Sequence, residues 1–339
     1  MNQYIEFMQT AVLPYFGSRE RKSFLQQSRE THALWARYRC VPYHYFKHRL
    51  YERSAPPNFI DYLPARLIQR FRRDRNPRSH VRMLNDKLET VRALAGTGIR
   101  CVETLFSVSD GGTIQRGDGA AVADHTAAEA LRGRGGTLFV KPIDSRKGYG
   151  AFKVCAAEID AASIKSLRNV VIQPVLRNHP RIEAMNAGAL STVRVGSYVE
   201  HGRCTLIAAF LRVAQGNAVV DNCSQGAIAI GIDLTSGTLN QTGMTLAEYG
   251  RRVYEVHPDT GVRFGSVTLP WWGETLELAE RAALGLQPHT TLGLDIAITP
   301  DGPVFVEAND AGCIVLLQDA CGPVGRTRLG QRVLEHWLR

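Results

Sequence analysis

Two carboxylates and an amide stand at Asp295, Glu307 and Asn309, within the stretch GLDIAITPDGPVFVEAND. Asp295 falls inside one apolar run, and Glu307 and Asn309 end the next. Two residues apart on a strand, the latter pair would point to one face. An aspartate within an apolar strand is costly to bury unless it is paired or coordinated. Oxygen donors alone make a hard site, suited to magnesium that takes further ligands from substrate phosphates. The plainer alternative is an aspartate at a turn and a glutamate facing solvent. Zinc is disfavoured, because no His or Cys cluster shares the spacing.

Cations and glycines lie upstream. Lys141 ends the apolar run Leu138-Phe139-Val140, and Ser145-Arg146-Lys147-Gly148-Tyr149-Gly150 follows. Glycines let backbone fold close to a phosphate and turn N–H groups toward it, while a lysine at the strand end adds a point charge. The loop matches neither the G-x-x-x-x-G-K-[ST] pattern nor G-x-G-x-x-G, so an exposed basic turn is an equal reading. Arg194 and Arg212 sit within two further apolar runs. A strand-buried arginine needs an anion: a core carboxylate, a nucleotide phosphate or a substrate carboxylate, which its planar fork grips in bidentate fashion.

The elements that must position these groups are short strands and a few helices. Residues 1–82 read as a basic helical region broken at Pro56-Pro57 and Pro77. A helix over Lys87 to Leu94, capped by Asn85 and stopped by Gly96 and Gly98, follows. Strands are expected at Cys101 to Val108, Thr137 to Val140 and Val170 to Pro174. Ser191 to Val199 and Cys204 to Val213 should pair through Glu200-His201-Gly202-Arg203. A helix over 273–284 precedes two closing strands, Gly293 to Ile298 and Val304 to Glu307, joined at Thr299-Pro300-Asp301-Gly302. Strands and helices mix without βαβ alternation, so the class is α+β. The divisions are residues 1–82, 83–175 and 176–339.

The chain has 339 residues, 44% hydrophobic and 22% charged, which suits a folded protein of two or three subdomains. Its seven cysteines (Cys40, Cys101, Cys155, Cys204, Cys223, Cys313, Cys321) are scattered. They suggest free thiols in a reducing compartment rather than a disulfide framework. No apolar run approaches the roughly 20 residues of a membrane span, and the N-terminus lacks the charge-then-apolar pattern of a signal peptide. A cytoplasmic location is expected. The net charge of +9 is concentrated early, at Arg66, Arg70, Arg72, Arg73, Arg75 and Arg78 among others. That pattern fits a solvated helix face or an anion-attracting rim better than a nucleic-acid reader.

In order along the chain, these segments resemble the ATP-grasp superfamily. Asn85-Asp86-Lys87 resembles the opening of its central domain, whose lysine reaches ATP phosphates. FVKPIDSRKGYG resembles the strand lysine and the small-residue loop over the triphosphate. VVIQPVLRNHP resembles the adenine-reading hinge. STVRVGSYV and LRVAQGNAVVDNCSQGAIA resemble the arginine strands and asparagine loop of glutamate-ligase-like members, although Cys223-Ser224-Gln225-Gly226-Ala227 stands where a Gly-Gly pair is common. LGLDIAITPDGPVFVEAND resembles the terminal Asp, then Glu-x-Asn, magnesium set. The similarity is closest to the sugar-transfer-associated group and covers residues 85–325.

That resemblance implies an ATP-grasp fold of two α+β subdomains gripping ATP, with magnesium (one or two ions, or manganese) on Asp295, Glu307 and Asn309. It implies ATP contacts from Lys87, Lys141, Ser145, Lys147, Gly148, Gly150, Gln173, Pro174 and Val175, with His179 or Glu183 on the ribose. Arg194, Arg212 and Asn222 would be catalytic. The implied reaction is ATP-dependent ligation of a small-molecule carboxylate to an amine. The alternatives are a kinase acting on a sugar or other hydroxyl, or a nucleotide-binding module without catalysis. The expected partners are small molecules and not nucleic acid, and homodimers are common in such families.

Overall fold

The computed structural model describes residues 8–144, 150–216, 218, 221–310 and 314–339. Among the described residues twelve strands form two sheets, and every pairing between these strands is antiparallel. The smaller sheet has the order β2-β1-β5-β3-β4 and comprises β1 (Phe106–Val108), β2 (Ile114–Arg116), β3 (Thr137–Pro142), β4 (Phe152–Cys155) and β5 (Val170–Pro174). The larger has the order β10-β9-β8-β7-β6-β11-β12. Its members are β6 (Thr192–Glu200), β7 (Arg203–Val213), β8 (Ile228–Ile232), β9 (Leu239–Met244), β10 (Val253–Tyr254), β11 (Thr291–Thr299) and β12 (Gly302–Asn309). The α+β class therefore holds.

Local sequence explains the two hairpins that matter most. Between β6 and β7, Glu200 pairs with Arg203, leaving His201 and Gly202 as a two-residue loop. Both have positive φ, 51° and 70°, as a type I′ hairpin turn requires. Between β11 and β12, Thr299 pairs with Gly302 across Pro300-Asp301. Strand alternation then sorts side chains. Leu292, Leu294, Ile296 and Ile298 of β11 enter one core with Val193, Val195, Leu211 and Val213, covered by the helix Trp272–Gly285. Gly293, Asp295 and Ala297 face the other way.

That other face carries the N-terminal helices. Leu34, Tyr38, Tyr45, Tyr51, Leu67 and Phe71 share a core with Tyr198, Phe210 and Ala229 of the large sheet and with Leu316, Leu329 and Val333 near the C-terminus. The helices Phe24–Tyr38 and Ala65–Arg75 thus pack on this face of the large sheet, while Leu84 of the helix Arg78–Asn85 enters the core on the other face. A third core, built on Val108, Leu131, Leu138 and Ile172, belongs to the small sheet.

The helix after residue 85 spans Lys87–Ala93, and its cap differs from the expectation. Asn85 ends the preceding helix; the Asp86 carboxylate accepts from the N–H groups of Leu88 at 2.8 Å and Glu89 at 3.0 Å. Capping by the residue immediately before the first turn satisfies those orphan donors directly. The strand expected from Cys101 is regular only over Phe106–Val108, while Cys101 makes a single parallel bridge to Phe305. Strands β8, β9 and β10 were not expected from the sequence.

Candidate active site between the sheets

A cleft of about 350 Å³ lies between the two sheets. From the small sheet come Phe139, Lys141, Lys153, Gln173 and Pro174, with Val175 just beyond β5. From the large sheet come Thr192, Arg212, Asp295, Val306 and Glu307, and the connections add Lys87, Asp221 and Asn222.

The carboxylate set forms through register. Asp295 on β11 sits directly opposite Glu307 on β12 and opposite Arg194 on β6. Strand periodicity alone would put Phe305 and Glu307 on the same face. The register slips after Asp295, however, and Val306 is passed over. This bulge changes the phase of β12, so Phe305 stays in the core while Glu307 and Asn309 reach the site. The Asn309 amide donates to Glu307 Oε1 at 3.2 Å and to Asp295 Oδ2 at 3.4 Å.

Asp295 is fully buried. Arg194 grips it in bidentate fashion, through Nε to Oδ1 and through Nη2 to Oδ2 at 2.8 Å. Arg212 Nη2 approaches Oδ2 at 3.1 Å. Burial by itself would raise this carboxyl, but the two guanidiniums outweigh it and hold Asp295 below the usual carboxylate range. Glu307 goes the other way: burial first, then the neighbouring Asp295, push it up against the pull of Lys141 and Arg212. The two neighbouring carboxyls are thus shifted in opposite directions.

The cations answer them. Burial pulls Lys141 down to about 8, opposed by Glu307. Its side chain, on a residue 9% exposed, has no hydrogen-bond partner among the described residues. Lys87 is lowered by burial too, with Glu307 opposing; its ammonium donates to the carbonyls of Pro142 at 2.9 Å and Ile143 at 3.0 Å, tying the helix start to β3. For Arg212, burial opposes the charge, but Asp221 and Asp295 prevail and keep it firmly protonated.

Asp221 is the residue that the sequence reading passed over. Its carboxylate accepts from the Thr192 N–H at 2.7 Å and the Thr192 hydroxyl at 2.5 Å, and lies 3.5 Å from Arg212 Nε. Burial raises its pKa, with Arg212 opposing. The signal available was its position immediately before Asn222. Asn222 itself caps a short turn, its side-chain oxygen accepting from the N–H and hydroxyl of Ser224, both at 2.9 Å.

The structure brings together Lys87, Lys141, Gln173, Pro174, Val175, Arg212, Asn222, Asp295 and Glu307 in this cleft. Arg194 and Asn309 reach the cluster from the adjoining cavity. His179 is not among the residues that line the cleft. Its ring nitrogen accepts from the Arg181 N–H at 3.2 Å as a helix cap, and it lies outside the cleft wall; Glu183 lines the cleft instead. Ser145, Lys147 and Gly148 lie outside the described residues. Gly150 has a φ of +77°, and a β-carbon there would meet Pro142 Cγ at 3.1 Å, so glycine suits the position.

A second cavity of about 460 Å³ opens on the other side of the arginines. It shares Arg212, Asn222 and Glu307 with the first and adds Arg194, Asn309, Lys47, Phe210, Leu246, Leu316 and Asp319. Asp319 fixes the N-terminal layer here. Its Oδ1 bonds to His48 Nδ1 at 2.6 Å and to Arg251 Nη2 at 2.5 Å, while Arg251 Nη1 donates to the Lys47 carbonyl at 2.6 Å.

Two antiparallel sheets closing on a cleft lined by lysines and carboxylates form an ATP-grasp clamp. The profile of the sugar-transfer associated ATP-grasp family matches residues 66–333, and the chain belongs to that family. No curated protein sequence matches it. Among solved structures, the chain is similar to the ATP-grasp ligase PsnB complexed with a minimal precursor, at 16% identity and a TM-score of 0.44, over 78% of this chain and 63% of that one. It is also similar to D-alanyl-alanine synthetase A from Vibrio cholerae, at 12% identity and a TM-score of 0.44, over 76% and 66%. N5-carboxyaminoimidazole synthase from Aspergillus clavatus is a third, at 11% identity and a TM-score of 0.44, over 79% and 58%. The chain spans less than two thirds of the length of each of these relatives. Among the described residues no helix is long and apolar enough to cross a membrane.

Proposed function

We propose that the protein is an ATP-dependent carboxylate–amine ligase that forms an amide through an acylphosphate. The observation that carries this reading is the pair of cavities meeting at Arg212, Asn222 and Glu307. One side suits a nucleotide and the other an acceptor, so a γ-phosphate at the junction would face the acceptor directly.

In the first step a carboxylate oxygen of the acceptor attacks the γ-phosphorus, and the bond to the β-phosphate oxygen breaks, releasing ADP. In the second, the amine attacks the acyl carbon, phosphate leaves, and the nitrogen loses a proton. Catalysis of this kind is mostly positioning and charge stabilisation. The buried Lys141 ammonium supplies charge from the small sheet, and Lys87 fixes the start of its helix against that strand. Arg212, held by Asp221 and Thr192, is aimed along the seam and steadies charge on the transferring group. Gln173 to Val175 form the wall suited to the base. The apolar surfaces of Phe210, Leu246 and Leu316 exclude water from one side of the acceptor cavity, which protects an acylphosphate from hydrolysis.

The donor set fits magnesium. Among the described residues no group of three or more His, Cys, Asp or Glu side chains could hold a metal, but two carboxylates, together with Asn309 once its amide turns its oxygen inward in place of the nitrogen that donates to them, would form a partial oxygen site that phosphate oxygens would complete. Asp295, Glu307 and Asn309 would hold the ion, which when bound supplies Lewis-acid charge to the phosphates.

The test is ADP release with purified protein, magnesium and ATP against a matrix of carboxylic acids and amines, with products read by mass spectrometry. The ligase reading expects ADP, phosphate and an amide only when both co-substrates are present. ATP consumption with a hydroxyl acceptor alone, giving a phosphorylated product, would replace it with the kinase reading.

A further inference from the structure

The helix Phe24–Tyr38 packs in an unusual way. Glu30, Leu34 and Tyr38 form its buried stripe. On its outward side Phe24 is 86% exposed, Leu25 60% and Trp35 47%. At 100° per residue, Phe24, Ser28, His32, Trp35 and Arg39 fall within a quarter-turn, with Leu25 and Arg29 flanking them. Arg39 caps the helix C-terminus and places its guanidinium 5.8 Å over the Trp35 ring. The one acidic residue of the helix, Glu30, is turned inward and bonded to Lys22 at 3.0 Å. The exposed face therefore carries large apolar groups and arginines, and no carboxylate.

The surroundings extend the pattern. Just before the helix, Leu13 is 60% exposed and Phe16 is 69% exposed. At its far end the Trp337 indole donates to the Tyr38 carbonyl at 2.7 Å, and the exposed Arg66 and Arg70 lie 5.0 and 5.2 Å over the Trp337 ring. Basic residues thus flank the apolar face at its helix end, where surface leucine and phenylalanine would otherwise need explanation.

We propose that this face docks the protein on an anionic lipid surface, with Phe24, Leu25 and Trp35 entering the interface and Arg29 and Arg39 meeting lipid phosphates. Exposed aromatic and aliphatic side chains beside arginines are what binding in the plane of a membrane interface requires, and anionic headgroups attract such cations from within a Debye length. A second copy of the same face is a poor occupant, because a two-fold contact would set Arg29 and Arg39 against their own copies without an acid to pair them. Phe24 also stands out from the surface rather than framing a recess. A fluid interface receives such a projection without a complementary pocket. The inference does not depend on the ligase reading.

The experiment is co-sedimentation of the full chain with vesicles of phosphatidylcholine alone and of phosphatidylcholine mixed with phosphatidylglycerol. Binding is expected with the mixed vesicles and should weaken as salt rises. The combined variant Phe24→Ser, Leu25→Ser, Trp35→Ser should lower the partition at least about tenfold while leaving the melting temperature and ATP consumption in solution unchanged. Arg29→Glu with Arg39→Glu should have the same effect without removing apolar surface. No binding to the mixed vesicles, binding that both variants leave intact, or a dimer in solution that the serine variant dissolves would each overturn the proposal.

Discussion

Replacing Lys141 with methionine should make the protein more stable and less able to bind ATP. The lysine ammonium is buried, lacks a hydrogen-bond partner among the described residues, and has its pKa lowered by burial from an ordinary 10.5 to about 8. At about 1.4 kcal/mol per pKa unit, that fall corresponds to a native-state penalty of about 3 kcal/mol for keeping the charge. Methionine is close in length and carries no charge, so the penalty disappears and packing is retained. Glu307 loses a nearby cation, but its carboxyl is already pushed upward and can take a proton instead. For a chain of this size the melting temperature should rise on the order of 5 °C. If the ammonium is there to meet a phosphate, losing one charge-assisted contact costs about 2–3 kcal/mol, or on the order of 30- to 100-fold in Kd. Calorimetric melting and titration with a non-hydrolysable ATP analogue measure the two effects separately. A lower melting temperature would mean that Lys141 is a structural ion-pair partner. An unchanged Kd would mean that the cleft does not use it for phosphate.

The same lysine gives a pH signature. Its folded pKa is lowered, so between about 8 and 10.5 the unfolded chain binds more protons than the native one, and this group's contribution to stability must rise with pH across that window. The Lys141→Met variant should lack this rise in melting experiments from neutral to alkaline pH. Asp295→Asn should act oppositely to Lys141→Met, destabilising the fold by about 3–5 kcal/mol, because Arg194 and Arg212 would be left buried without their carboxylate; denaturant melts would show a lower midpoint.

Much of this site was legible in the sequence because its parts lie at strand ends and in tight hairpins, where spacing maps directly onto geometry. Glu307 and Asn309 share a face as their two-residue separation requires, and Val170–Pro174 forms a strand over its expected length. Two features escaped for physical reasons. The cap at Asp86 competes with Asn85, and both are good capping residues; the choice depends on where the previous helix stops. Asp221 owes its role to Thr192, which lies on a strand 29 residues earlier. No local pattern announces such a contact.

The N-terminal layer makes the same point about longer range. Its prolines and helical segments could be read, but its core could not, since that core is continuous with one face of the large sheet. Tyr38, Tyr45 and Tyr51 share one core with Phe210, Tyr198 and Leu316, which arrive from residues more than a hundred positions away. The same packing brings Lys47 and His48 beside Asp319 at the rim of the second cavity. A region that looked like a basic appendage thus becomes one wall of the space that adjoins Arg212 and Glu307. Because that wall lies opposite the arginines and carboxylates, changes in it can alter what enters the second cavity while leaving the charged cluster in place. On the proposed function, acceptor selection and charge placement would thereby fall to different parts of the chain.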